Sequence, residues 1–334
     1  MTETATTPAS AGETASETTS AMPARLTLRV TKGHGTQNDF VLIDDRSGVL
    51  DLHAGLVRAL ADRRAGIGGD GVIRLVESRH VAHGAAALAL DPRARWFMDY
   101  RNADGSVAEM CGNGVRVFAQ YVDRLGLWPD SDELVVGTRA GVMRVRRTAV
   151  PAGLDDAAWF AFDIGRWSVV GGQDALAAGF DAHVAVAGLE VSRPGLSIDV
   201  GNPHTVLALP TLDELAAADL TRAPVVAPTP PHGSNVELVV PLGEELVDGQ
   251  VVGRVRMRVH ERGVGETRSC GTGAVAAAMA VRSWAGADAP SVWLVEVPGG
   301  VVRVTALADS HAELAGPAVL VADLDVDVAA LGAP

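Results

Sequence analysis

Apolar and polar positions alternate with a period of two over much of the chain, in short runs bounded by Gly, Asp, Asn or Pro. That is the pattern of strands separated by turns. LTLRVTK, DFVLIDD, GVIRLVE, RWFMDYR, ELVVGTR and GVMRVRR predict strands in the first half. AWFAFDIG, LSIDVG, HTVLAL, SNVELVV, VRMRVHE, WLVEV and GVVRVTAL predict them in the second. Three segments depart from the alternation. Residues 51–64 carry the single apolar stripe of an amphipathic helix, whereas 114–126 and 273–286 are apolar nearly all round. A helix of the latter kind must be enclosed, so sheet is expected to surround each of the two.

The two halves repeat each other. MCGNGVRVFA at 110–119 and SCGTGAVAAA at 269–278 share Cys-Gly, a polar residue, Gly and then helix. An asparagine at a Gly-bearing strand start precedes each, in GTQNDFVLID at 35–44 and DVGNPHTVLAL at 199–209. Asn38 stands 73 positions before Cys111 and Asn202 stands 68 before Cys270, while Asn102 and Glu261 each lie nine before the cysteine that follows. Three matches in order predict a duplicated domain. Outside the repeat, residues 1–24 are too poor in apolar side chains to offset their ordering entropy and are expected to be disordered, with Met22 a candidate true start. Residues 78–93 match no motif and read as a variable insertion.

Composition narrows the classes of function. A chain of 334 residues exceeds one ordinary core, so two packed units are expected. The net charge of −13 provides no basic face for phosphate backbones, which argues against a nucleic-acid partner. Charges or turn residues interrupt every long apolar stretch, so no membrane-crossing helix is expected. Lys32 is the only lysine, which leaves pyridoxal phosphate one unsupported attachment point. Gly66-Ile67-Gly68-Gly69-Asp70-Gly71 fits the dinucleotide fingerprint, but a helix precedes it and a strand follows, the reverse of the required order. His80 and His83 have no third ligand nearby. Neither a cofactor nor a metal is therefore expected.

The candidate chemistry rests on the two cysteines, Cys111 and Cys270, which are too few for a disulfide scaffold. Each sits just before a predicted helix, where free backbone N–H groups and the positive end of the helix dipole favour thiolate over thiol. The same N–H groups can hold a substrate carboxylate. Two such thiols from related halves imply a cleft with one sulfur on each side. There one group removes a proton from a stereocentre and the other returns one to the opposite face.

Taken together, KGHGTQNDFVLID, RRAGIGGDGVI, MDYRNADGSVAEMCGNGVRVFAQY, GNPH, SNVE and VHERGVGETRSCGTGAVAAA resemble diaminopimelate epimerases, especially those of actinobacteria, from about residue 30 to 325. The resemblance implies an α/β (α+β) fold of two pseudo-symmetric domains, each a curved, mainly antiparallel sheet around a central helix. The first would comprise 25–156 with 315–334 and carry Cys111; the second would be 157–314 and carry Cys270. It implies a cofactor-independent, cytoplasmic, homodimeric isomerase that interconverts LL- and meso-diaminopimelate for lysine and peptidoglycan synthesis, with no membrane partner. Carried over position by position, Cys111 and Cys270 become the acid/base pair, with His204 and Glu261 in support. Asn38, Asn102, Asn202, Asn235, Glu261 and Arg262 become substrate-holding side chains. Gly112, Asn113, Gly271 and Thr272 become backbone donors.

Arg262 would clamp a carboxylate bidentately. Thr36 and Gln37 depart from the family pattern, and Gly71 stands where many relatives have a substrate-contacting glutamine. Proline and hydroxyproline racemases share the paired thiols but typically place histidine where Asn113 stands. Phenazine-type isomerases of this fold normally lack the thiol pair. A thiol-redox protein is disfavoured by the absence of Cys-x-x-Cys.

Overall fold

The short β-branched runs form strands, and the two segments apolar all round become helices inside them. The computed structural model describes residue 1 and residues 27–154 and 157–332. The tail expected over 1–24 (Met1 aside) and the candidate start at Met22 lie outside the described residues. The first part of the chain forms β1 (Thr27–Gly35), β2 (Asn38–Asp44), α1 (Ala54–Ala61), β3 (Gly71–Glu77), α2 (Gly84–Leu90), β4 (Trp96–Asn102), α3 (Gly112–Arg124), β5 (Glu133–Thr138), β6 (Gly141–Thr148) and β7 (Ala158–Arg166). Then come β8 (Ser168–Val169), α4 (Gly172–Ala178), β9 (Ala182–Ala185), β10 (Arg193–Asp199), β11 (Pro203–Ala208), α5 (Leu212–Ala217) and β12 (Val225–Ala227). The rest is β13 (Asn235–Val247), β14 (Gln250–Glu261), β15 (Gly265–Thr267), α6 (Gly271–Ala285), β16 (Val292–Val297), β17 (Gly300–Ala306) and β18 (His311–Asp327).

The pairing repeats. β1–β2 is antiparallel, β2–β3 parallel, β3–β4 antiparallel, β4–β5 parallel, and β5–β6 and β6–β7 antiparallel. The same succession runs through β10, β11, β13, β14, β16, β17 and β18. α3 falls between β4 and β5, and α6 falls at the corresponding place between β14 and β16. Each helix therefore lies within its own curved, mainly antiparallel sheet, as the resemblance implied. In α6, Ala274 to Val281 are all buried, and in α3, Asn113 to Ala119. Full burial of each Val, Met or Phe contributes roughly 1.5–3 kcal/mol, enough to override a propensity term of a few tenths.

The strand β18 joins the halves. Its first part pairs with β17 and β7, and its later part, from Val319, pairs with β1. The chain β1 to β7 is thereby closed into a ring around α3. Pro317 stands where the partner on one edge changes from β17 to β1, so its missing N–H breaks no ladder on that edge. β7, which the division at 156/157 puts at the start of the second half, pairs with β6 and packs against α3. The segment 78–93 is not featureless: it forms a 3₁₀ turn and α2, with Ala87 packed on Val135 of β5. At 66–71, α1 precedes and β3 follows, the order that disfavours a dinucleotide loop.

The tip of the β1–β2 hairpin is an inter-domain contact. Thr36 and Gln37 take left-handed backbone (φ 48° and 62°), as a two-residue turn between twisted strands requires. The Thr36 and Ser269 hydroxyls lie 2.6 Å apart, and Arg116 donates to Thr36 Oγ1 at 3.3 Å. No described helix is long and apolar enough to cross a membrane.

Candidate active site

The N-termini of α3 and α6 meet. A β-carbon on Gly271 would stand 3.7 Å from the Cα of Gly112, so the first residues of the two helices abut. Cys111 and Cys270 are the N-cap residues of these helices, both in extended backbone. Both line one cleft of about 1010 Å³, together with Asn38, Asn102, Asn202 and Glu261. Gly112, Asn113, Gly271 and Thr272 line it as well. First-turn N–H groups, which have no intrahelical partner, are thus concentrated at one point from two directions.

The two sulfurs have related but unequal surroundings. The Cys111 thiol donates to Asn38 Oδ1 at 3.5 Å, and that oxygen also accepts from Asn113 Nδ2 at 3.2 Å. Asn38 is oriented in turn by donation to Asp70 at 2.7 Å. Burial, with the Glu261 carboxyl adding to it, pushes the Cys111 thiol up to about 11, against the pull of the Gly114 and Asn113 N–H groups and the Arg116 cation. Cys270 accepts from the Gly273 N–H at 3.4 Å and lies 3.5 Å from the Thr272 hydroxyl. It is pushed well above the ordinary thiol range by burial and then by the carboxyls of Glu261 and Glu237. The expectation that helix N-termini make both sulfurs thiolates is therefore corrected: loss of water outweighs the dipole at both, and two acidic neighbours widen the gap at Cys270.

His204 is buried behind Cys270 rather than on the cleft wall. Its Nδ1 lies 2.7 Å from Glu237 Oε1 and its Nε2 3.0 Å from Asn202 Oδ1. Asn202 Nδ2 donates to the Thr272 hydroxyl at 3.4 Å, so a chain of polar contacts runs from Glu237 to the edge of Cys270. Glu261 accepts from the Thr267 hydroxyl, and burial raises its carboxyl.

Two expected contacts are not brought to the cleft lining. Asn235 is buried as a bracket, donating to the Pro203 carbonyl at 3.1 Å and accepting from the Arg262 backbone N–H at 2.9 Å. Arg262 is exposed, and its guanidinium donates to the His232 carbonyl.

Sequence reasoning missed Glu237, Arg116 and Tyr100. Glu237 and Arg116 are fully buried; among the described residues Glu237 Oε2 has no partner, and Arg116 donates to Asn113 Oδ1 rather than to a carboxylate. Each interrupts an otherwise apolar element, and that interruption was the available signal. Tyr100 lines the cleft and is hidden in the alternation of a strand.

The diaminopimelate epimerase family profile matches residues 30–152 and 196–321. A Rhodococcus opacus protein named diaminopimelate epimerase is 48% identical over 303 residues, 89% of this chain and 96% of that one. A Streptomyces coelicolor protein of the same name is 45% identical over 308 residues, 89% and 95% of the two chains. A solved Bacillus anthracis phenazine biosynthesis protein of the PhzF family superposes with a TM-score of 0.56 at 15% identity, over 90% of this chain and 99% of its own, and shares the fold. With a cysteine at each of two abutting helix starts and matches of this extent, the chain belongs to the diaminopimelate epimerase family.

Proposed function

We propose that the protein interconverts LL- and meso-diaminopimelate by a two-cysteine proton exchange, for lysine and peptidoglycan synthesis. The abutting helix N-termini, each capped by a cysteine in one cleft, carry this reading. The carboxylate of the reacting centre sits among the first-turn N–H groups of Gly112, Asn113, Gly271 and Thr272. One sulfur, as thiolate, takes the α-proton and becomes a thiol. The electron pair left on carbon spreads into the carboxylate, where the N–H groups stabilise it. The other cysteine gives its thiol proton to the opposite face and is left as thiolate. In the reverse direction the roles exchange. Burial and Glu261 raise both thiols, Glu237 raises Cys270 further and Arg116 offsets part of the rise at Cys111, so Cys111 is the more readily ionised of the two and serves first as base. No step calls for a cofactor.

Asn38, Asn102, Asn202 and Glu261 read the substrate from the cleft wall. His204 supports Cys270 through Asn202 and Thr272, and Asn235 and Arg262 act by holding the turn after β14. The half-domains of this proposal are 25–156 with 315–334, and 157–314. The partner switch in β18 supports the later boundary, while the packing of β7 on α3 favours moving the earlier one to the end of β7. A homodimer belongs to the proposal and is testable by sedimentation. A cytoplasmic location fits two unpaired cysteines whose chemistry requires the reduced state.

The test is conversion of LL- to meso-diaminopimelate by reduced enzyme in heavy water, with deuterium entering the α-position. Cys111→Ala and Cys270→Ala should each lower kcat/KM by about 10²–10⁴-fold or more, the usual share of general acid–base help. Inversion of L-proline alone, or full epimerisation by either variant, would replace this reading.

A further inference from the structure

Gly71 opens β3, and Asn102 at the end of β4 is its ladder neighbour. A β-carbon at 71 would lie 2.5 Å from the Arg101 carbonyl oxygen and 2.6 Å from Tyr100 Cε2. Backbone on one side and a packed ring on the other cannot both give way, so position 71 admits no side chain. The ring of Tyr100 takes that part of the cleft wall. It is held edge-on against Phe40, with centroids 5.8 Å apart, and is only 7% exposed.

Its hydroxyl is not among the buried unpartnered atoms of the described residues, and with Tyr100 in the cleft lining that end of the ring opens on the cleft. A phenol held by its ring with its hydroxyl at a cleft is placed to bond a ligand there. Tyr100 shares the cleft lining with Cys111, Asn38 and Asn102, so a bound substrate is the partner within reach. Burial first, then the charges of Cys111, Asp70, Glu261 and Asp104, hold the phenol protonated. The cleft lining carries Asp70, Asp104, Glu109 and Glu261 against the single cation Arg63, a balance that attracts a cation.

We propose that Tyr100 is a substrate-binding residue whose phenol oxygen accepts an N–H from an ammonium group of the substrate. A tyrosine on β4 thereby does the work that a long amide at position 71 would do. The inference rests on the reading above that the substrate is a diamino dicarboxylic acid with two zwitterionic ends.

The experiment compares Tyr100→Phe with wild type on LL-diaminopimelate under reducing conditions. Phenylalanine fills the same space, and no protein hydrogen bond is lost, so the melting temperature should not change. A hydrogen bond to a charged group, made equally in ground and transition states, should appear as a KM raised about tenfold or more with kcat within about twofold. Substrate affinity measured in a Cys111→Ala background should weaken by the same factor when Tyr100→Phe is added. An unchanged KM, or a loss confined to kcat, overturns the role of Tyr100 and leaves the epimerase reading intact. A wild-type enzyme inert toward LL-diaminopimelate removes both.

Discussion

Glu261 raises both thiols, but Cys111 also has the guanidinium of Arg116 near it, whereas Cys270 has the second carboxyl of Glu237. The Cys-Gly-x-Gly start is the same at both sulfurs, so the difference comes from residues beyond it, Arg116 one turn along α3 and Glu237 on β13. A thiol raised by burial ionises at higher pH, and the exchange needs one thiolate. Because Cys111 is pushed up to about 11, kcat/KM should still be rising with pH above neutrality. Arg116→Gln removes a buried cation that favours the thiolate and should move the rising limb up by about one pH unit, while Arg116→Lys should restore it. A pH profile of kcat/KM decides this; a limb that stays put or moves down would count against a cationic role. The cysteines and the asparagines beside them were legible in the sequence because a helix start and its cap are local. Glu237 and Arg116 were not, because a strand or helix pattern does not say which sulfur a buried charge faces.

At the scale of elements, the first turn of α6 has unusually little free space. Glycine inside a helix normally costs roughly 0.5–1 kcal/mol relative to alanine, so Gly→Ala there is ordinarily stabilising. At Gly273 a β-carbon would lie 2.7 Å from Glu237 Oε1 and 3.2 Å from Cys270 Cβ. The sign should reverse: Gly273→Ala is expected to lower stability by about 1–3 kcal/mol, as overpacking does, and to reduce kcat by displacing Cys270 or Glu237. Denaturant unfolding and the epimerase assay read the two effects; a stabilised and fully active variant would contradict the packing. All the strands that alternation predicted formed, as did the three helices. The long β18 and the short α2 were missed, as were β8, α4, β9, α5, β12 and β15. Pro317 and Gly316 disguise β18, and an alanine-rich stretch flanked by His and Pro gives α2 no period to detect.

For the whole molecule, the seam between halves has to keep two helix starts in contact. The β1–β2 tip is part of it: a β-carbon at Gly299 would fall 1.8 Å from the Thr36 carbonyl oxygen. Gly299→Ala must therefore push that hairpin away from the turn between β16 and β17. Because a misplacement of about 1 Å can cost on the order of 10²-fold in rate, activity should fall more than tenfold while circular dichroism stays near that of wild type. Undiminished activity would mean that the tip does not set the spacing of the helices. Neither Thr36 nor Gly299 itself lines the cleft, although Thr36 meets Ser269, which does, so the effect would reach the site through displaced geometry.

By itself the sequence determined what depends on neighbours a few positions apart. Periodicity set the strands, all-round apolarity marked the enclosed helices, and a repeated cysteine-glycine helix start disclosed both the duplication and the reactive groups. Tertiary structure decided what depends on residues far apart in the chain. It joined the halves through β18, aimed Arg116 and Glu237 at different sulfurs, turned Arg262 toward His232, and set Tyr100 over Gly71. The reason is physical: propensity and capping act over a turn or two of backbone, whereas desolvation and close packing depend on whichever distant residues the ladders bring together.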